Sequence, residues 1–304
     1  MRKKPLTLFD TLIYKILRRL GLHGFSETFK MLYHEQNIRI SLNGKLTEQY
    51  FPTRGVKQGD ALSCIIFNLV IEIILRSINL DESISKQKIG KLVNNLPTAV
   101  GYADDITCIV NNTDDIQKIF NHYEKFTKVS GLELNADKAE ILSNKHGESC
   151  NIEYLGRKHD ITNSCRAKIN GIIFDSNSNL QFKENWDLGL KRMEDQLIRW
   201  QARSITTLGK IQLYKTFGMS QVLYLSRVLP PDEYYLKKVK LLTDKFLWNK
   251  SMNRNKAPSR IKDEITYTPT SSGGFGLTHL NEIVTSMNFK QILMNKHCCS
   301  PLKN

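Results

Sequence analysis

The sequence predicts an α+β fold through about residue 178, followed from 179 to 304 by a mainly helical, basic region. Two patterns carry this. Up to Ser178, short β-branched or alternating runs that end in turn dipeptides are interleaved with runs of helical period; beyond it the period is helical almost throughout. Charge divides the chain in nearly the same place: residues 1–180 carry a net +4, whereas the stretch from Gln181 onward holds 20 basic and 10 acidic residues, a net +10. One part that grips, joined to a balanced part with other work, is the expected organisation.

At 304 residues the chain can bury a sizeable core and form two domains. Its 44 Lys and Arg against 30 Asp and Glu leave a formal charge of +14. That suits a polyanionic partner, and equally a solvated lysine-rich surface. Six cysteines, Cys64, Cys108, Cys150, Cys165, Cys298 and Cys299, lack paired C-x-x-C spacing and read as reduced packing residues of an intracellular protein, nuclear or cytoplasmic. The terminal "HCCS" offers half a metal site without a second half. "MRKKPLTLFDTLIYKILRRL" imitates a signal peptide until Asp10 and Lys15 interrupt it, and no apolar run reaches the roughly 18–20 residues that span a bilayer. A membrane partner is not expected, and no repeat of solenoid length is visible.

Residues 8–20 place Leu12, Ile13, Ile16, Leu17 and Leu20 on one helical face, with Gly21 as a stop. A second short helix is expected over Ser26 to Glu35. In "NIRISLNGKLTEQYF" the alternating Ile38, Ile40 and Leu42 lead into Asn43-Gly44, a strong hairpin signal. Asp60 is a good N-cap for the run Ala61 to Leu75, which is apolar nearly all round and therefore expected to be buried under a sheet. Thr113 can cap a helix that turns Ile116, Phe120, Tyr123 and Phe126 inward and stops at Gly131. Strand-like "LEL", "AEILS" and "IEYLGR" follow, and "SNSN", Ser176 to Asn179, is the linker candidate. Past it, Trp186, Leu190, Met193 and Leu197 share one helical face, and Leu236, Val239, Leu242 and Phe246 another.

Between the two halves of "AVGYADDITCIV", Ala99 to Val110, stand adjacent aspartates. The flanking residues predict strand, tight turn, strand, with Asp104 and Asp105 at a solvent-reachable tip backed by the helix from Ala61 to Ser77. Aspartate caps turns, which accounts for one carboxylate. A second beside it adds repulsion that a hard divalent cation would remove, so a turn and a metal site both remain open on these residues alone.

Taken in order, the blocks resemble those of the reverse transcriptases of LINE-type non-LTR retrotransposons. "RGVKQGDALS" before an apolar helix resembles motif B, "YADD" motif C, "GLELNADKAEIL" motif D and "IEYLGR" motif E; "LGKIQLYKTFGMSQVLYLSRVLP", "FLW" and "GGFGLTHL" resemble the thumb and post-thumb segments. The resemblance covers nearly the whole chain. It implies a right-hand polymerase palm with an antiparallel sheet and helices over 1–178, and a mainly helical thumb and connection over 179–304. It further implies RNA-directed DNA polymerase activity by two-metal nucleotidyl transfer, with two Mg²⁺ ions as cofactor and RNA template, DNA primer and dNTP as partners; no protein partner is inferable.

By the same resemblance Asp104 binds metal directly and Asp105 supports it, while Lys138 matches a motif D lysine near the leaving pyrophosphate, although a plain surface lysine fits the residues as well. Arg54, Gly55, Gln58, Gly59, Asp60 and Tyr102 fall at nucleotide- or template-facing positions, where glycines let backbone approach a base and Gln58 can hydrogen-bond; an ordinary loop entering a helix is the alternative for Gly55 and Gly59. Three departures matter. "LFD", Leu8 to Asp10, matches only the tail of motif A, so Lys4 stands where that motif carries its metal-binding aspartate, and Asp10 matches the helix-side residue. The fingers that should precede it are not in these residues. Ala61 and Cys64 replace the usual prolines of motif B. The alternative reading is therefore an inactive truncated remnant that at most binds nucleic acid, and the isolated chain is expected to extend a primer negligibly.

Overall fold

The computed structural model describes residues 7–33, 38–51, 56–57, 59–86, 96–143, 149–201, 203–248 and 261–298. Two compact units, Met1–Asn170 and Gly171–Asn304, divide it. The chain passes from one to the other at Asn170-Gly171, a turn in which both residues have positive φ.

The first unit opens with helices α1 (Leu8–Arg19) and α2 (His23–Tyr33). A capping box starts α1: Thr7 Oγ1 accepts from the Asp10 N–H at 3.1 Å while the Asp10 carboxylate accepts from the Thr7 N–H at 3.3 Å. Phe9, Ile13 and Leu17 bury at i, i+4 and i+8, flanked by half-buried Leu12 and Ile16. Leu20, expected on the same face, is exposed because the helix has ended one residue before it. The second helix begins three residues earlier than Ser26, and its expected end at Glu35 lies outside the described residues.

Strands β1 (Ser41–Leu42) and β2 (Lys45–Leu46) pair antiparallel around Asn43-Gly44, whose φ values of 49° and 78° are those of the tight hairpin turn the dipeptide favours. Helix α3 (Ser63–Asn79) follows. Its burial on all sides is not observed: Ile66, Val70, Ile74 and Ile78 form one buried row at i+4 spacing, whereas Ile65 on the other side is 59% exposed. One face meets the core fully, Leu69, Ile71, Ile73 and Leu75 flank it half-buried, and Ile65 is surface.

Strands β3 (Ala99–Tyr102) and β4 (Asp105–Cys108) form the second antiparallel hairpin. Helix α4 (Asp114–Ser130) buries Ile119, Phe120, Tyr123 and Phe126, with Ile116 half-buried, and Gly131 ends it at φ 72° by donating to the Thr127 carbonyl. "LEL" is not a strand. Its main-chain groups are taken by side chains instead: Leu132 N–H donates to Ser130 Oγ, Leu134 N–H donates to the Tyr154 hydroxyl, and the Leu132 carbonyl accepts from Thr127 Oγ1. Strands β5 (Glu140–Leu142), β6 (Cys150–Tyr154) and β7 (Arg157–Ser164) make a three-stranded sheet in the order β5-β7-β6. Of its pairings β6 with β7 is antiparallel, around a Leu155-Gly156 turn, and β5 with β7 parallel. Strand β8 (Arg166–Ile169) closes the unit.

The second unit begins with β9 (Ile172–Asp175) and the long helix α5 (Ser178–Gln201). The expected linker Ser176–Asn179 is the start of that helix, because Asn177 Oδ1 accepts the N–H groups of Asn179 and Leu180 and so caps it. Helix α6 (Thr207–Leu213), a π-turn Tyr214–Gly218, then α7 (Ser220–Val228), α8 (Glu233–Leu247), the short α9 (Asp263–Tyr267) and α10 (Leu280–Cys298) complete it. The predicted face of α5 is buried in full, Trp186, Leu190, Met193 and Leu197, against Val222, Tyr235 and Phe246 among others. Buried Lys210 donates from Nζ to the Phe246 and Leu247 carbonyls at 3.1 and 3.3 Å, closing the C-terminal end of α8. Among the described residues no helix is long and apolar enough to cross a membrane.

Candidate active site

The aspartate hairpin is placed by α3. In its register Ala99 faces Cys108, Gly101 faces Ile106 and Tyr102 faces Asp105, leaving Ala103 and Asp104 as the two-residue turn. Asp104 thus sits in the turn itself, and Asp105 is the first residue of β4. Both carboxylates are exposed, as is Tyr102 at 73%. Ala103 takes φ 55°, a region that costs a residue with a Cβ about 1–2 kcal/mol. The pair is therefore held at a strained tip.

Two contacts attach the hairpin to α3. The Asn79 side chain brackets Ala99, donating to its carbonyl and accepting from its N–H, both at 2.9 Å. Farther along, a Cβ on Gly101 would stand 3.1 Å from Leu75 Cδ1, so glycine permits the strand to lie against the helix. Ala99 beside Asn79 and Gly101 beside Leu75 fix the direction: β3 runs back along α3 toward its N-terminal end. At about 3.3 Å per strand residue and 1.5 Å per helix residue, the Asp104 turn comes roughly level with Leu69, some ~10 Å along the axis from Ser63.

At that N-terminal end stand Gly59 and Asp60. Gly59 has φ 86° and open space where a side chain would be. The expected N-cap role of Asp60 is only partly met. The helix begins three residues later, and Oδ1 accepts from the Leu62 N–H at a long 3.4 Å, while Oδ2 accepts from Ser63 Oγ at 3.2 Å and from the Tyr33 hydroxyl. The Tyr33 bond, ahead of the others, holds the Asp60 carboxyl below the usual carboxylate range; burial, followed by that same carboxylate, pushes the Tyr33 phenol up to about 12.

Of the other sequence-predicted residues, Arg54, Gly55 and Gln58 lie outside the described residues, and so does Lys4. Lys138 is exposed at the end of a 3-10 turn, Ala136–Lys138, whose Asp137 pairs with His159 on β7 at 3.0 Å. No hydrogen bond connects Lys138 to the aspartate hairpin among the described residues. Asp10 is engaged in the cap of α1. Among the described residues no group of three His, Cys, Asp or Glu converges as a metal-binding set. Of the cysteines, Cys64 is exposed and Cys108, Cys150 and Cys165 are partly buried, and no disulfide links them; "HCCS" lies outside the described side chains. Sequence reasoning missed Tyr33, Leu75 and Asn79, since nothing local marks a helix residue that reaches a turn or strand 20 or more residues away.

Residues 10–159 match the family model described as reverse transcriptase (RNA-dependent DNA polymerase). The chain is 26% identical, over 93% of its length, to the retrovirus-related Pol polyprotein from type-2 retrotransposable element R2DM of Drosophila melanogaster, and spans 27% of that protein. It is 28% identical to the Pol polyproteins from type-1 retrotransposable element R2 of Nasonia vitripennis, over 37% of this chain and 10% of the relative, and of Popillia japonica, over 47% and 20%. The chain thus spans about a quarter of the length of the first of these relatives. With "YADD" on its hairpin and "QGD" leading into α3, residues 10–159 are those of a reverse transcriptase domain, and the chain as a whole is similar to Pol polyproteins of retrotransposable elements.

Proposed function

We propose that the chain supplies palm carboxylates and the adjoining nucleotide-facing turn for templated nucleotidyl transfer, with RNA template, DNA primer and dNTP as substrates. The observation that carries this is the hairpin running back along α3, which brings exposed Asp104 and Asp105 toward the Gly59–Asp60 turn. The donor set fits a divalent cation such as Mg²⁺: two exposed carboxylates on successive residues, with no cationic side chain paired to either among the described residues. An ion held there would supply neutralisation of charge on the transferred phosphoryl group and on the attacking hydroxyl. Asp104 and Asp105 would hold it, the β3–β4 ladder fixes their backbone, and Gly59 leaves room for a base or sugar to approach. The basic second unit binds the duplex through its phosphates, which makes affinity fall steeply with salt.

A second reading, nucleic-acid binding without catalysis, rests on the sequence alone, in which Lys4 stands at the position that resembles the motif A metal-binding aspartate. Primer extension on an RNA template with Mg²⁺ and with Mn²⁺, comparing the chain with an Asp104→Ala, Asp105→Ala double variant, separates them. Product from the parent alone supports the catalytic reading. Salt-sensitive duplex binding without product supports the second reading, and neither product nor binding overturns both.

A further inference from the structure

We infer that Tyr33 is the positioning residue of the Gly59–Asp60 turn, its hydroxyl locking the Asp60 carboxylate so that the turn presents one conformation to an incoming nucleotide. The inference rests on the reading of that turn as nucleotide-facing.

Tyr33 is the last residue of α2, 7% exposed, and its ring stacks on Phe29 at 4.5 Å with the planes 19° apart. A ring so held has little freedom, and its hydroxyl is delivered to a fixed point. The acceptor there is Asp60, 27 residues away in the chain. The same carboxylate accepts from Ser63 Oγ and the Leu62 N–H, so it joins α2, the turn and the first residue of α3.

Among the described residues the outer side of the turn offers no comparable support. Gly59 carries positive φ and has nothing packed where a Cβ would be. From within, the turn keeps the bond from the Ser63 N–H to the Asp60 carbonyl at 3.2 Å and the long contact to Leu62. An ordinary helix cap requires only the α3 amides. The buried phenol adds a charge-assisted bond from a different helix, the kind of bond whose loss is felt most. Its persistence across the working range follows from the opposed titrations, the carboxyl held low and the phenol high.

The test uses the whole chain and Tyr33→Phe, which keeps the ring and its stack, alongside Asp60→Asn. Amide hydrogen exchange reads the turn, thermal melting reads the fold, and dTTP affinity on an oligo(rA)·oligo(dT) primer–template with Mg²⁺ reads the site. Expected for both variants is an exchange rate in residues 59–63 raised about 10-fold, unchanged exchange in α1, and dTTP affinity lowered about 10-fold with primer–template affinity within about twofold. Unchanged exchange in the turn overturns the inference. So does acceleration shared equally by the rest of the first unit, or a loosened turn with unaltered dTTP affinity. A parent chain that binds no dTTP overturns the functional reading instead, and the exchange result then decides the Tyr33 lock by itself.

Discussion

Replacing Asn79 by alanine should detach the aspartate hairpin from α3, and the size of the effect can be worked from the ladder. Thr98 O accepts from Ile109 N–H at 2.7 Å, so in the alternating antiparallel pattern the next residue, Ala99, turns its N–H and C=O away from β4. Both groups belong to a residue only 2% exposed, and both are satisfied by the Asn79 amide. Without it two buried main-chain groups lose their partners, each at about 1–3 kcal/mol. Partial capture by water brings the sum to about 3 kcal/mol, or roughly 6–12 °C in the melting of a unit of this size. Asn79→Asp retains an acceptor for the Ala99 N–H but sets a carboxylate against its carbonyl, so it should cost about 2 kcal/mol. Urea unfolding followed by hydrogen exchange at the Ala99 amide measures both. A loss below about 0.5 kcal/mol, or an Ala99 amide still protected in Asn79→Ala, would refute this account of what holds the hairpin.

Two further outcomes follow from neighbouring groups. Asp115 is fully buried on α4 and accepts from Lys118 Nζ at 2.7 Å and from the Ser85 N–H at 3.1 Å; burial opposes its charge, but these bonds prevail and hold its carboxyl below the usual range. A carboxyl depressed in the folded state contributes stability above its unfolded pKa of about 4 and loses it as pH falls toward the folded value. Asp115→Asn should therefore be less stable by about 2 kcal/mol at pH 7, Lys118 being partly exposed, with the gap to the parent shrinking by pH 3; urea melts at both pH values check this, and a gap independent of pH contradicts it. Ala103→Gly relieves the positive φ in the hairpin turn and should stabilise the first unit by about 0.5–1 kcal/mol in the same melts, whereas a destabilisation would show that the Ala103 methyl makes contacts worth more than the strain.

What the sequence made legible was the part that local chemistry specifies. Asn43-Gly44 turns where turn propensity puts it, α5 buries the face its 3.6-residue period selects, and the aspartates stand at a hairpin because strand formers flank them. The failures share a cause. The α3 run is apolar on every side, so its pattern could not say which row meets the core, and only Ile66, Val70, Ile74 and Ile78 do so fully. "LEL" has strand composition, yet Ser130, Thr127 and Tyr154 offer its main chain side-chain partners that no propensity scale includes. "SNSN" looked like a linker because its residues favour turns, and those same residues favour helix N-termini. Tyr33 was invisible as a candidate because its relevance begins only when α2 reaches the turn before α3.

The two ends of α3 carry different kinds of fastening, and this bears on how the site tolerates change. At the C-terminal end the hairpin is held by Asn79 to main-chain atoms of Ala99 and by the near-contact of Gly101 with Leu75, so the identity of residue 99 matters less than its backbone. At the N-terminal end the Gly59–Asp60 turn depends on side chains at both partners, Tyr33 and Asp60. A substitution at 99 that keeps a small apolar residue leaves the Asn79 clasp intact, whereas one at 33 or 60 removes its bond outright. Between the ends the buried row of α3 packs against the core, so the spacing of carboxylates and turn is set by a packed helix and not by either loop. Strain at Ala103 and the open flank of Gly59 are then affordable in structural terms, because each sits at the tip of an element whose base is fixed to the same helix.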